Sequence, residues 1–332
     1  MSDPQPQPAP RQPLDWSRLR MRSREVRAHK VAAACVAGTP PPRASFAEWL
    51  ASLPHFLGAE ELRRTADAIV GARRAGRPVV FAFGGHVIKT GCGPIVIDLI
   101  QRGIVTALAT NGSGAIHDLE LAEAGQTSEE VAETIRDGTF GFVHETCDRM
   151  NAAARDGAAG DGLGRALGRL VANGAVPFKH LSVFAAAFEA GIPVTVHVAL
   201  GTDTVHMPAA ADGAAIGAAT MHDFRTLCEV VAAMGAEQGE ARPGGGAAAG
   251  GVWLNVGSAV ILPEVFLKAV SVARNLGFPL RGMHTANFDM LRHYRPTQNV
   301  LVRPVEPGHG HAVVGQHEIL LPLLRQAVIE VM

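Results

Sequence analysis

Charge imbalance, clustered cysteine, a membrane-length apolar run and a supply of lysine are what this sequence lacks, and each absence removes a class of function. Its 332 residues carry 30 Lys and Arg against 31 Asp and Glu, a formal net charge of −1. A chain this close to neutral gives no electrostatic case for nucleic acid or an anionic membrane as partner. No apolar run approaches the roughly 20 residues of a membrane-spanning helix. The polar, proline-rich beginning is unlike a secretory leader, so a soluble, cytoplasmic protein is expected. Cys35, Cys92, Cys147 and Cys228 are widely scattered, which suits reduced core thiols better than disulfides or a cysteine-type zinc site. The only lysines are Lys30, Lys89, Lys179 and Lys268, and the only tyrosine is Tyr294. Hydrophobic residues, by contrast, make up 47% of the chain, ample for a core in one large α/β domain or two small ones.

The chain is organised around Phe81 to Glu120. Two short apolar runs, Val79 to Phe83 and Ile104 to Ala109, each stop at a polar, glycine-rich turn, and a helical pattern from Pro94 to Arg102 lies between them. That succession predicts a βαβ unit. In parallel sheets ligands sit beyond the carboxyl ends of the strands, so Gly84-Gly85-His86 and Asn111-Gly112-Ser113-Gly114 would line one crevice. Glycine lets backbone N–H groups approach a phosphate, and the following helix turns its positive end toward it. The second turn reads Gly-x-Gly-x-x-His and lacks the third glycine of a dinucleotide fingerprint; a tight turn without a ligand is an equal alternative.

Residues Met1 to Pro13 are expected to be disordered, and Trp16 to Lys30 to form a basic arm that is solvated or contacts another subunit. Ser45 to Leu57, with Ser45 and Glu48 forming a capping box, and Ala59 to Arg74 read as helices. Later helices are expected after a Thr127 cap, over Phe142–Ala154, Gly162–Ala172, Leu181–Ala190, Met221–Met234, Pro263–Leu276 and Glu318–Val331. Strands are expected over Pro193–Leu200, Val252–Val256, Leu280–Phe288 and Val300–Arg303. Gly235 to Gly250, mostly glycine and alanine, reads as a mobile loop. The alternation predicts an α/β protein with a doubly wound, mostly parallel, Rossmann-like sheet and an N-terminal helical extension: a tail and arm over 1–44 and one domain over 45–332.

Polar residues at the expected strand ends are the candidates for chemistry: His86, Asn111 with His117 and Asp118, Asp203 with His206, Ser258, and Asn287 with Asp289. Asp203 follows an apolar strand, where an acid can accept from ribose hydroxyls or a substrate ammonium. His117 and Glu120 share a helix face, and His117 could relay a proton or simply cap the helix. His197, inside a strand, reads as a core histidine. His309, His311 and His317 have the spacing of a metal cluster, and equally that of an exposed loop. Lys89 could face the crevice as nucleophile only if its pKa fell by roughly three units; a phosphate-binding or surface lysine needs no such shift.

LIQRGIVTALATNGSGAIHDLELAEA, with FGGHVIKTG before it and SVFAAAFEAGIPV, GTD (201–203), GSAVI (257–261) and TANFD (285–289) after it, resembles deoxyhypusine synthases in order and spacing over roughly residues 75 to 290. The resemblance implies an NAD-binding fold and a homo-oligomer, a homotetramer in that family. It carries NAD contacts over to Gly85, His86, Thr110, Asn111, Gly112, Ser113, Asp203, Ser258 and Asp289. The family's chemistry does not carry over whole. Its Gly-Gly-Gly-x-x-Lys-His-His continuation is replaced by Leu262-Pro263-Glu264, and no lysine follows Lys268 to form the imine. Arg292, Arg295 and Arg303 instead suit a carboxylate or phosphate, so a substrate less cationic than a polyamine is expected. The expected activity is hydride removal from a C–N or C–O carbon of a small molecule onto NAD, with His86 or His117, and less readily Lys89, as catalytic groups. A metal-dependent hydrolase built on His309, His311 and His317, a non-catalytic NAD-binding homologue, and deoxyhypusine synthesis itself remain the alternatives.

Overall fold

A computed structural model describes residues 11–236 and 249–332, so the first ten residues of the expected tail and most of the expected Gly/Ala loop lie outside the described residues. Residues 11–34 are exposed and make only short 3-10 turns. Two helices then lead into the sheet: α1 (Phe46–Ser52), opened by the Ser45/Glu48 capping box, and α2 (Leu57–Arg74). There follow β1 (Val79–Phe83), a single helical turn α3 (His86–Lys89), α4 (Gly93–Gln101), β2 (Ala107–Asn111) and α5 (Gly112–Ala124). An all-helical excursion comes next, α6 (Val131–Asp137), α7 (His144–Ala158), α8 (Leu163–Asn173) and α9 (Val183–Glu189), before β3 (Val194–His197) and α10 (Gly213–Ala232). The second half runs β4 (Val252–Val256), α11 (Ile261–Asn275), β5 (His284–Asp289), α12 (Tyr294–Pro296) with a π-helical continuation Thr297–Val302, β6 (Gly310–Val314) and α13 (His317–Val331).

The six strands form one parallel sheet in the order β3-β2-β1-β4-β5-β6. Sheets of this kind are buried on both faces, which is why β1 reads as an unbroken apolar run, and β2 and β4 as apolar runs interrupted only by Thr110, Asn111 and Asn255, rather than as alternating ones. Alternate residues nevertheless serve different cores. Phe81, Phe83, Leu108, Val256 and Phe288 pack with α2, α4, α5 and α13 on one face. Val80, Ala82, Ala109 and Trp253 pack on the other with residues of α10 and α11, where Trp253 stacks on Phe266 at 4.2 Å. Among the described residues no helix is long and apolar enough to cross a membrane.

Four expectations are corrected. Val300–Arg303 is not a strand: a short apolar run fits helix and strand alike, and here the Val300 carbonyl accepts from Thr285 Oγ1 at 2.7 Å instead of a strand partner. The sixth strand is Gly310–Val314, within the stretch expected to be a histidine loop. Thr127 does not cap a helix, because its hydroxyl donates to Glu120 Oε2 at 2.6 Å; Glu130 caps α6. Finally, α10 starts at an Asp212 cap, eight residues before the expected Met221, its first two turns being too rich in Gly and Ala to show an apolar stripe.

Two buried aspartates close the fold where backbone would otherwise go unpaired. The outer edge of β3 is sealed by α10: Asp223 accepts from the N–H of Val196 at 2.8 Å and of Gly164 at 2.9 Å, while the Thr220 hydroxyl donates to Val196 O and accepts from Val198 N–H. An edge so occupied cannot template another strand. Asp118 on α5 accepts from the Val183 N–H at 2.7 Å and the Ser182 hydroxyl at 2.5 Å, tying α5 to the start of α9. Burial pushes both carboxyls up, each to about 7, against the downward pull of these donors.

Asp223→Ala leaves two buried N–H groups unpaired and is expected to cost about 1–3 kcal/mol in urea unfolding, with Asp223→Asn, which keeps an acceptor, costing less. From about pH 4 to about pH 7 the folded chain holds protons on Asp118 and Asp223 that the unfolded chain has released, so these two groups make stability fall as pH rises through that window. The slope should be shallower in Asp223→Asn. A variant slope equal to that of the wild type contradicts the assignment.

Candidate functional site

Register aligns the carboxyl ends of the strands: Phe83 pairs with Thr110 and Val256, Asn111 with His197, and Asp289 with Val314. β1 is flanked by β2 on one side and β4 on the other, and the chain order reverses between them. At such a switch point the connections leave to opposite sides and a crevice opens beyond the strand ends. The turns after β1 and β4 meet there. Gly84 N–H donates to Val256 O at 3.0 Å, and a Cβ at Gly84 would collide with the Gly257 carbonyl. Gly257 itself has φ +61°, a conformation that favours glycine.

On the β2 and β3 side, Asn111 caps α5 by accepting from Gly114 N–H at 3.1 Å, which leaves the N–H groups of Gly112 and Ser113 unclaimed by the cap. Gly85 lies against α5, where a Cβ would strike Ser113 Oγ and come within 2.9 Å of His117 Cδ2. Asp203, after β3, lies directly against Gly112, with its side chain only 8% exposed. Its Oδ2 is buried without a hydrogen-bond partner. Burial pushes this carboxyl up, with His206 and Thr202 pulling the other way. His206 accepts from Gly201 N–H at Nδ1, so its proton is on Nε2, 3.9 Å from Asp203 Oδ2, too far to satisfy it. Thr110, expected to touch cofactor, donates to Phe83 O at 2.7 Å and holds β2 to β1.

On the β4 to β6 side, Ser258 is buried and accepts from Leu262 N–H in the first turn of α11 at 3.3 Å. Asn255 donates to Ser258 O and Asn287 Oδ1, and its own Oδ1 is buried and unpartnered. Asp289 is buried at the end of β5, 4.0 Å from His293 Nε2.

Two histidines lie beside Gly85, His86 next to it in the chain and His117 against it from α5. Thr127 donates to Glu120, so it must accept from His117 Nδ1–H, 2.7 Å away; Thr146 donates to the other Glu120 oxygen. Burial opposes ionisation of Glu120, but His117, Thr127 and Thr146 outweigh it and hold the carboxyl below its usual range. His86 Nδ1 lies 2.9 Å from Nδ1 of His317, the first residue of α13, which is 1% exposed. His317 Nε2 is 3.2 Å from the Phe288 carbonyl, and its ring fills the space a Cβ at Gly257 would take. Burial first, and then His317 and Lys89, push the His86 pKa down, opposed by Glu318 and Asp289.

The structure therefore brings together His86, Gly85, Asn111, Gly112, Ser113, His117, Asp203, Ser258 and Asp289. It does not unite His309, His311 and His317. The first two sit at the opposite end of the sheet, His311 between Glu61 at 2.8 Å and His284 at 3.2 Å, and His309 stacked on His284 at 4.1 Å. Among the described residues no group of three His, Cys, Asp or Glu is arranged to hold a metal. Lys89 is exposed, whereas an imine-forming lysine depends on desolvation. Arg295 lies 3.4 Å from Glu264 and Arg303 donates to Asn299 at 2.7 Å, leaving Arg292, just past Asp289, as the one of the three without a protein partner among the described residues. His197 is a core histidine, bonded to Thr195 and pushed down to about 3 by burial. The pairing of His317 with His86 was missed in sequence, although Val313-Val314-Gly315-Gln316-His317 repeats the strand-glycine-histidine pattern of Ala82 to His86.

No family model matches the chain, and no curated protein matches it. Solved structures match in fold. AgrE, in its ternary complex with ornithine and NAD+, aligns at 16% identity and a TM-score of 0.51 over 82% of this chain and 33% of that one. This chain thus spans about a third of AgrE. A conserved LOR/SDH protein from Methanococcus maripaludis S2 aligns at 15% identity and 0.48, over 81% and 69% of the two chains. A protein ascribed to deoxyhypusine synthases, from Entamoeba histolytica, aligns at 10% and 0.46, over 87% and 94%. What is shared at these identities is the α/β fold.

His86 should titrate with a midpoint below the ordinary histidine value of ~6.5 in a proton NMR titration of the whole chain. Its loss of charge on folding makes a stability contribution that is present at neutral pH and fades as pH falls through that region. A midpoint at or above the ordinary value contradicts the site as described.

Proposed function

We propose that the chain binds NAD across the switch point and catalyses a reaction that begins with hydride removal from a C–N or C–O carbon of a small substrate. The observation that carries this reading is the unpartnered, buried Asp203 Oδ2 set against Gly112 at the start of α5. An acceptor in that position, beyond the β2 and β3 ends of a 3-2-1-4-5-6 sheet, suits ribose hydroxyls. Further support comes from the glycine turns at 84–85, 112 and 257, which allow close backbone approach, and from the NAD+ held by AgrE, whose fold this chain shares.

When bound, the dinucleotide would supply the hydride acceptor. The protein's residues do the rest. Asp203 holds the ribose of the first half, Gly85, Gly112 and Ser113 present backbone and hydroxyl donors to the phosphates, and Ser258 and Asp289 hold the second half. His86 or His117 handles the proton, and Arg292 binds a substrate carboxylate. Deoxyhypusine synthesis is set aside, since no lysine follows Lys268 to carry the aminobutyl group. A homo-oligomer, tetrameric by the resemblance, fits the exposed apolar side chains Val260, Leu291, Tyr294 and Ile319 near the strand ends.

Calorimetric titration with NAD tests the reading. Saturable binding is expected, weakened by about 10- to 100-fold in Asp203→Ala, the loss that removing a hydrogen bond to a charged group brings. No binding at millimolar NAD, or equal affinity in the variant, contradicts it.

A further inference from the structure

We infer that His86 takes the proton leaving the substrate's hydroxyl or amino group, and that His317 is the positioning residue that holds His86 in its Nδ1-protonated tautomer. The substrate half of this statement rests on the reading just given; the histidine pair stands on geometry alone.

The hydrogen bonds fix the tautomers in sequence. A carbonyl oxygen only accepts, so the proton of neutral His317 is on Nε2, pointing at Phe288 O. Its Nδ1 is then a bare acceptor. Two bare nitrogens 2.9 Å apart would repel, so His86 Nδ1 carries the proton between them. His86 Nε2 is left with a free lone pair and no protein partner among the described residues. His317 cannot turn away from His86, because its ring is 1% exposed and lodged against Gly257, where a Cβ would come within 2.7 Å of Cε1.

The place of the pair in the fold separates it from His117. His117 is tied through Thr127 to Glu120 on the β2 side, the half with the ribose-binding acid. His86 leans instead on the end of β5 and the start of α13, in the half of a switch-point site that receives the second, reacting mononucleotide. The groups around His86 are His317 from α13, Lys89 from α3, Glu318 from α13 and Asp289 from β5. On transfer the substrate O–H or N–H bond breaks, its electron pair stays on the substrate, and an N–H bond forms at His86 Nε2. The imidazolium that results still donates from Nδ1 to His317. Passing the Nδ1 proton on to His317 would place the charge on a ring that is 1% exposed, against its desolvation cost, so the charge stays on the less buried His86 until Nε2 releases it.

Nitrogen-15 NMR of the full chain, with histidine labelled and no nucleotide added, reads the tautomers directly. His86 is expected to show a protonated Nδ1 and bare Nε2 at pH 7.5. In His317→Phe that preference should be lost, and in His317→Asn, whose side-chain oxygen can accept from Nδ1–H, it should persist. If the phenylalanine variant does not fold, the wild type and His317→Asn decide the matter. His86 protonated on Nε2 in the wild type, or unchanged in a folded His317→Phe, overturns the positioning role. In turnover at saturating NAD, His86→Gln should lower kcat by about 100-fold or more, the usual contribution of a positioned base; a kcat within threefold of wild type overturns the proton-acceptor role. Failure of NAD to bind would overturn the dinucleotide reading while leaving the tautomer result to judge the pair.

Discussion

The contact on which the rest of this molecule depends is the meeting of two backbone turns, Gly84 against Gly257, at the ends of β1 and β4. Both strands must finish at the same height for Gly84 N–H to reach Val256 O, and neither turn has room for a side chain. From that contact the order of the sheet follows outward: β2 and β3 on one side, β5 and β6 on the other. At that reversal the connections leave to opposite sides, and the polar residues gathered there are those the strand ends deliver.

Buried polar groups fall into two populations with different uses. Asp118, Asp223 and Thr110 are satisfied, and each joins one element to another. They act as fastenings, since removing any of them would leave a buried N–H or carbonyl bare. Asp203 is of the other kind. An acceptor buried without a donor costs stability, and Asp203 Oδ2 carries that cost beside Gly112 at the start of α5. The histidines divide in a similar way. His197, buried at the end of β3 and bonded to Thr195, is pushed down to about 3 by burial, whereas His86 and His117 are each held by one nitrogen, the other having no protein partner among the described residues.

The apolar runs made much of this legible in sequence. β1 and β4 match the expected Val79–Phe83 and Val252–Val256 because a strand buried on both faces is apolar almost throughout, Asn255 being the one polar residue in the two. Glycine marks the turns, and the position of Asp203 after an apolar strand is enough to place it at the carboxyl-end side of the sheet. What stayed hidden were features set by contacts far apart in the chain. Gly310–Val314 pairs with β5, but its Gly-His opening looks like loop; Val300 looks like strand, but Thr285 from β5 takes its carbonyl. The meeting of His86 with His317 spans 231 positions, and the local sequence of His317 pointed to its near neighbours His309 and His311, which the strand carries to the other end of the sheet.

Amide hydrogen exchange with and without NAD tests the central claim most directly, because it asks where the ligand sits without presupposing turnover. The account predicts slower exchange in the presence of NAD over three separated segments, 84–86, 111–114 and 257–262, with the arm before α1 and the His309–His311 end of the sheet unchanged. Protection confined to other segments, or none at saturating NAD, would contradict a dinucleotide site at the β1/β4 switch point.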